Sequence, residues 1–316
     1  MRDPIGDFLA LHPMLVLDGA LATELESRGA DLGHPLWSAK CLLDCPQLIK
    51  EVHLDYFRAG ADVATTATYQ ASFEGFERLG IGRDGARRLM LEAIALAIAA
   101  RDEFWADASH HSDRSRPLIA ASVGPYGAML ADGSEYRGHY GLDQRALADF
   151  HRPRLQALAA AGADFLAFET IPCLREAQAL ASLLREFSGV CATLSFSCQD
   201  GLRNCQGENI GECVAALEDC EQIIAVGVNC TPPQYVASLL RRMRAATIKP
   251  LMAYPNSGEQ YLPGAKQWGG GRAAAPFGEQ ARIWWGEGAR LIGGCCRTSP
   301  SDIRSVKQCM PFEPPP

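Results

Sequence analysis

The sequence has no long apolar run: no window reaches the roughly 18 uncharged residues that a membrane-spanning helix needs, so no span is expected. The first 22 residues include Asp3, Asp7, His12, Pro13 and Asp18, unlike the basic start and apolar core of a secretory leader. Positive charge is not in excess. Thirty Lys and Arg stand against 37 Asp and Glu, for a net charge of −7. A general nucleic-acid binder would carry a basic face, so that class is set aside. At 47% apolar residues the chain is no disordered polymer. No GxGxxG follows the first strand pattern, no HExxH is present, and no CxxC marks a redox turn. Repeats with a period of about 20–50 residues are also missing. What remains is a globular protein, read as one domain over residues 1–316, in the cytoplasm, with its 12 cysteines reduced.

Eight short apolar runs read as buried parallel strands, continuous and bounded by turn formers. They are Leu15–Leu17, Val63–Thr66, Leu118–Val123, Phe165–Phe168, Cys191–Phe196, Ile223–Val228, Leu251–Tyr254 and Leu291–Gly293. Helical patterns lie between them at Pro46–Ala59, Asp84–Trp105, Asp143–Ala161, Leu174–Phe187, Ile210–Leu217, Pro233–Ala245 and Pro276–Gly288, with Asp84 a candidate cap. Gly-Ala joints recur at Gly60, Gly162, Gly264 and Gly288, all but Gly264 where a helix should end. This alternation fits an α/β fold of the single (β/α)8 TIM-barrel type, with a doubly wound sheet as runner-up. The segment Asn256–Gly271 reads as a mobile insertion and His110–Arg116 as a polar loop.

In such a barrel the chemistry sits just beyond the strand ends. There the sequence places Asp18-Gly19-Ala20, Tyr69-Gln70, Gly124-Pro125-Tyr126, Glu169-Thr170, Asn229-Cys230, Tyr254 and Gly293-Gly294-Cys295-Cys296. The sixth and eighth strands are next-but-one neighbours, so Cys230 could meet Cys295 and Cys296 above the barrel mouth. Three thiols plus an open position is the pattern of catalytic zinc, with Gly293 and Gly294 letting the backbone bend. Buried, inert cysteines or a redox pair are the other readings of the same residues. Cys41 and Cys45 have a loose metal-like spacing without converging geometry. Glu169 reads as an anchor for a substrate ammonium or as a rim salt bridge, and Asp18 as a site residue or a helix cap. Tyr69, Tyr126 and Tyr254 could wall a cation with their ring faces, or simply pack.

At these residues the sequence resembles the homocysteine S-methyltransferase family. Leu17-Asp18-Gly19-Ala20-Leu21-Ala22-Thr23-Glu24-Leu25 is similar to its opening motif, and Gly227-Val228-Asn229-Cys230 and Gly293-Gly294-Cys295-Cys296-Arg297-Thr298 to its zinc-cysteine motifs. Pro35-Leu36-Trp37-Ser38, the stretch His53–Gly60, Ser122–Ala128 and Tyr254–Glu259 resemble the small branch that uses S-methylmethionine. The resemblance implies a zinc ion on Cys230, Cys295 and Cys296, with homocysteine sulfur as the fourth ligand. It puts the amino-acid end near Asp18, Gly19, Ala20 and Glu169, with Tyr126 and Asn229 as further substrate contacts. Gln70 aligns with the tyrosine that can close the zinc site in the betaine-using branch, which argues against betaine. The implied reaction moves a methyl group from S-methylmethionine, with S-adenosylmethionine as a second donor, to the zinc-bound thiolate and makes methionine. Selenium analogues of the acceptor are compatible, since selenolates are also soft ligands. The chain stops at Pro316 without the betaine branch's dimerisation arm. A monomer with small-molecule substrates, and with neither nucleic-acid nor membrane partners, is therefore expected. The competing classes are a zinc storage protein without turnover and a thiol redox protein.

Overall fold

The computed structural model describes residues 2–33, 37–112, 114–262 and 267–309. Pro35 and Leu36 of one family-like motif, the Gly264-Ala265 joint and Asp113 lie outside the described residues.

The apolar runs form strands β1 (Leu15–Val16), β2 (Val63–Thr65), β3 (Leu118–Val123), β4 (Phe165–Ile171), β5 (Ala192–Phe196), β6 (Ile223–Asn229) and β7 (Leu251–Tyr254). A hairpin of β8 (Gln260–Leu262) and β9 (Gln267–Gly269) follows, and β10 (Ala289–Ile292) completes the set. Strand order is β1-β10-β7-β6-β5-β4-β3-β2, every neighbour parallel, with helices between. This is a (β/α)8 TIM barrel. The remaining seam joins β1 to β2, and side chains help to close it. Val16 N donates to Asp62 Oδ2 at 3.0 Å, Asp62 N donates to Val16 O at 2.7 Å, and Thr65 N donates to Asp18 Oδ2 at 2.7 Å.

Period-two alternation along each strand separates two cores. Leu15, Leu17, Val63, Ala120, Phe165, Ala167, Ala225, Met252 and Leu291 fill the barrel, together with Ile5 and Phe8 of the short helix Pro4–Leu9. Val16, Ala121, Val123, Leu166, Phe168, Val226 and Ile292 face the helical layer. The helix Pro46–Ala59 shows how the outer layer is specified. Pro46 starts it, Ile49, Val52, Tyr56 and Phe57 supply the buried stripe, and Gly60 ends it at φ 113°, where a Cβ would be strained. No helix among the described residues is long and apolar enough to cross a membrane.

One local expectation is corrected. Gly82, not Asp84, occupies the cap of the long helix Arg83–Trp105, and Asp84 lies in its first turn. The insertion after β7 contains an antiparallel hairpin, Gln260 opposite Gly269. The segment after residue 107 is docked, with His110 stacked on Phe104 at 3.9 Å and Arg114 bonded to Phe57 O at 2.9 Å.

Candidate active site and metal centre

The same alternation that packs the barrel turns polar at its upper end. Ser122, Glu169, Ser195, Asn229 and Tyr254 are buried inner-face residues of successive strands, one turn of the barrel wall above the apolar fill. They form one hydrogen-bonded chain. Ser122 Oγ donates to Glu169 Oε1, and Tyr254 hydroxyl donates to Glu169 Oε2 at 3.3 Å. Ser195 Oγ lies 2.5 Å from the Tyr254 hydroxyl and donates to Asn229 Oδ1 at 2.8 Å. Asn229 in turn holds Thr170 from both sides, accepting from its N at 2.7 Å and donating to its Oγ1 at 2.8 Å. That double clasp explains why Thr170 keeps a left-handed φ of 60°. Cys230 (φ 46°) and Arg297 (φ 65°) share this costly backbone, so the mouth is held by its surroundings in a conformation the chain alone would leave.

Cys230 directly follows β6, and Cys295 and Cys296 follow β10 by three and four residues. Their sulfurs lie 2.7 Å (Cys230–Cys295), 3.4 Å (Cys230–Cys296) and 3.9 Å (Cys295–Cys296) apart. Among the described residues this is the only His, Cys, Asp and Glu group tight enough to hold a metal. Three sulfurs on one zinc at about 2.3 Å each would stand roughly 3.8 Å apart. Two separations come within about half an ångström of that, and the donor set is purely soft thiolate, so the residues fit such an ion. Without a cation the trio shares its charge unevenly. Hydrogen bonds from Cys295, Cys296 and the Tyr136 hydroxyl hold the Cys230 thiol well below its usual range. The contact with Cys230, together with burial, pushes Cys295 and Cys296 well above theirs. A divalent ion removes the penalty on the second and third thiolate.

Gly293 and Gly294 do not serve as bends, since neither has a positive φ. Gly293 lets the end of β10 approach β1, and Gly294 leaves room for Thr298. A Cβ on Gly293 would lie 2.5 Å from Leu17 Cβ and 2.7 Å from Asp18 O, and one on Gly294 would collide with Thr298. Gly19 is required for the same reason, with Tyr56 and Thr298 in its way at 2.8 and 2.9 Å.

Two buried carboxylates, Asp18 and Glu169, line the same cavity of about 610 Å³ as the thiols. Asp18 is no helix cap. Its oxygens accept from Thr65 N at 2.7 Å and Thr65 Oγ1 at 3.0 Å across the β1–β2 seam. Burial pushes the Asp18 carboxyl up to about 7 against the pull of those bonds. Burial likewise pushes Glu169 up to about 8, helped by negative charge at Cys230 and Asp18. No ion pair satisfies either group among the described residues, and Glu169 is not the rim salt bridge that its position also allowed.

Gly19, Ala20, Tyr69, Gln70, Asn229 and Tyr254 also line the cavity. Asn229 does so with its amide already spent on Thr170 and Ser195, which makes it a positioning residue. Tyr126 does not line it. Its ring packs edge-on against Tyr140 and Phe150, and its N donates to Glu176 Oε1 at 2.7 Å. Behind that contact Glu176, His151 and Arg154 form a buried chain that reaches Gly124 O and the carbonyls of Tyr69 and Ala71. Glu135 and Tyr136, which sequence reasoning missed, enter the cavity from the turn Ser134–Tyr136. Their signal was the unusually long connection between β3 and the helix Gln144–Leu158, since long loops beyond barrel strands are where function collects.

Comparison with known proteins agrees with this geometry. Residues 15–310 match the family model described as homocysteine S-methyltransferase. Homocysteine S-methyltransferase YbgG of Bacillus subtilis is 52% identical over 304 residues, 96% of each chain. A selenocysteine Se-methyltransferase of Brassica oleracea is 47% identical over 301 residues, 92% of this chain and 87% of that one. Among solved structures, the metallated form of the homocysteine methyltransferase MmuM from Escherichia coli superposes with a TM-score of 0.88 at 41% identity, covering 98% of this chain and all of that one.

Proposed function

This chain belongs to the homocysteine S-methyltransferase family and is a methyltransferase enzyme, and we propose that it transfers the methyl group of S-methylmethionine to homocysteine at a zinc ion held by Cys230, Cys295 and Cys296. The observation that carries this reading is the convergence of three thiols with two unpaired buried carboxylates in one cavity. A metallated relative of the same fold supports a metal there. When bound, zinc supplies a deprotonated acceptor thiol at neutral pH, where a free thiol of pKa about 8.5 is mostly protonated.

The protein's own groups do the rest. Asp18 and Glu169 take the ammonium of homocysteine, exchanging their desolvation penalty for charge-assisted hydrogen bonds. Ser122 and Tyr254 fix the Glu169 carboxylate, and Asn229 fixes Thr170 beside it. The cavity walls exclude water and align acceptor sulfur, methyl carbon and donor sulfur. The donor's carbon–sulfur bond breaks with its electron pair passing to the donor sulfur, and a new bond forms from the acceptor sulfur. Both products are then methionine. The relative named as a selenocysteine Se-methyltransferase supports selenols as further acceptors, and S-adenosylmethionine is a second donor of the same sulfonium chemistry.

The test is methionine formation from homocysteine and S-methylmethionine, with zinc measured on the same reduced sample. About one zinc per chain and turnover that a chelator abolishes are expected; folded, reduced, zinc-free protein that turns over as fast would overturn the reading. Glu169→Gln is expected to raise the KM for homocysteine about 10- to 100-fold while zinc stays bound. The sign of the pH effect follows from the raised carboxyls. Below pH about 8 Glu169, and below about 7 Asp18, must lose a proton before taking the ammonium. Wild-type KM for homocysteine therefore rises as pH falls from 8 to 6, and the Gln variant has a shallower slope. An unchanged KM and slope would remove Glu169 from substrate binding.

A further inference from the structure

The cavity holds a third carboxylate that homocysteine does not need. Glu135 lies on the turn Ser134–Tyr136 and lines the cavity. Its Oε2 is buried and has no hydrogen-bond partner among the described residues. No cation pairs with it there either; Arg137, the nearest on its loop, is half-exposed and turned to Asp132, whose O accepts from it at 3.1 Å. Leaving a desolvated carboxylate unpaired is costly, and such groups persist where a ligand completes them. Burial pushes Glu135 up to about 7.

The loop that presents Glu135 is built rigidly. Ala131 and Gly133 hold φ of 55° and 81°. Asp132 Oδ1 accepts from Ser134 N at 2.9 Å, and Glu135 O accepts from Ser197 Oγ at 3.0 Å. Two tyrosines, Tyr69 and Tyr136, line the same cavity. The Tyr136 hydroxyl reaches Cys230 Sγ at 3.7 Å, and the Tyr69 hydroxyl is bonded to Thr170. A carboxylate and two tyrosines beside a thiol cluster make a site for a soft, diffuse cation.

Resting on the methyl-transfer reading above, we propose that Glu135, Tyr69 and Tyr136 form the subsite that holds the positively charged sulfur of the methyl donor. The charge on that sulfur vanishes as the methyl leaves, because the electron pair of the broken bond returns to it. A fixed counter-ion therefore stabilises bound donor more than the transition state. Glu135 acts on donor binding and product release, and the neutral thioether left behind is held no more tightly than by apolar contact.

The experiment uses the full, reduced, metal-loaded chain. S-methylmethionine and methionine, which share an amino-acid end and differ in sulfur charge, are titrated separately by calorimetry into wild type and Glu135→Gln. The sulfonium is expected to weaken about tenfold or more in the variant, and methionine to change less than twofold. In steady state the donor KM rises with kcat within about threefold, and the homocysteine KM stays put. Equal weakening of both ligands, or of neither, overturns the subsite while wild-type turnover leaves the methyl-transfer reading standing. A wild type that neither binds nor uses S-methylmethionine overturns both. Should the Gln variant fail to fold, Glu135→Asp, which keeps the charge but draws it back, is read the same way.

Discussion

Serine in place of Cys230, Cys295 or Cys296 is expected to strip the metal and slow turnover by about a thousandfold or more, while the barrel stays folded. Two effects multiply. Without a metal only a few per cent of the acceptor thiol is ionised at pH 7, which alone costs about 30-fold. The acceptor sulfur also loses its fixed position, and positioning is worth still more. Serine cannot repair the site, since its hydroxyl is a hard donor that stays protonated where a soft thiolate is needed. The fold survives because the backbone here is held independently of the sulfurs. Cys295 N donates to Pro255 O at 2.8 Å, Ser257 N donates to Cys296 O at 3.1 Å, and Thr298 Oγ1 donates to Cys295 O at 2.6 Å. A stability loss of about 1 kcal/mol is expected of each single variant. Metal per chain by emission spectrometry, single-turnover rates and thermal melts check all three statements. A variant that keeps both metal and rate would remove its cysteine from the centre.

The thiol centre was legible in the sequence because a barrel brings its strand ends together, so residue types at Cys230 and Cys295–Cys296 were enough to propose it. Glu169 was legible for the same reason, as a charge closing the buried run Phe165–Phe168. What the sequence hid was direction. Tyr126 follows a strand as Tyr69 and Tyr254 do, yet it opens a helical turn whose first residue points into the wall. Gly293 and Gly294 look like hinges, but they serve close approach, and for Gly293 that depends on a partner strand far away in the chain. Asp18 looks like a cap because Asp-Gly often starts a turn, and only the β1–β2 seam reveals its role toward Thr65. The polar ring of Ser122, Ser195, Asn229 and Tyr254 is scattered over four strands, so no local pattern announces it. Glu135 stood in a loop whose length was the only signal.

Arg154→Met should destabilise the protein by about 3–5 kcal/mol and reverse the contribution of one histidine to its pH dependence. Arg154 is 2% exposed and Glu176 0%. Between them His151 accepts from Arg154 at Nδ1, at 2.7 Å, because a guanidinium can only donate. Its proton therefore sits on Nε2 and is donated to Glu176 Oε1 at 2.9 Å. The imidazole is neutral, and burial holds its pKa below the usual value. Lowered in the folded state, it contributes stability present above about pH 6.5 and lost as pH falls below it. Methionine at 154 leaves Glu176 as a buried charge without a cation, and leaves His151 Nδ1 free to take a proton. His151 is then expected to become the cation, its pKa raised. Its contribution changes sign and is lost as pH rises through the new value. The double variant Arg154→Met, Glu176→Gln removes both charges and should recover part of the loss, giving a coupling of a few kcal/mol in a double-mutant cycle. The chain also bears on the site. Arg154 donates to Gly124 O at 2.6 Å, Ala71 O at 3.2 Å and Tyr69 O at 3.4 Å, so it ties the loops after β2 and β3 that carry Tyr69 and lead to Glu135. Loosening those loops should weaken donor binding before it disturbs the thiol centre, whose backbone is held by other bonds. Urea melts from pH 5 to 8 on the single and double variants decide the matter, and parallel wild-type and variant profiles would show that Arg154 holds no special place in the chain.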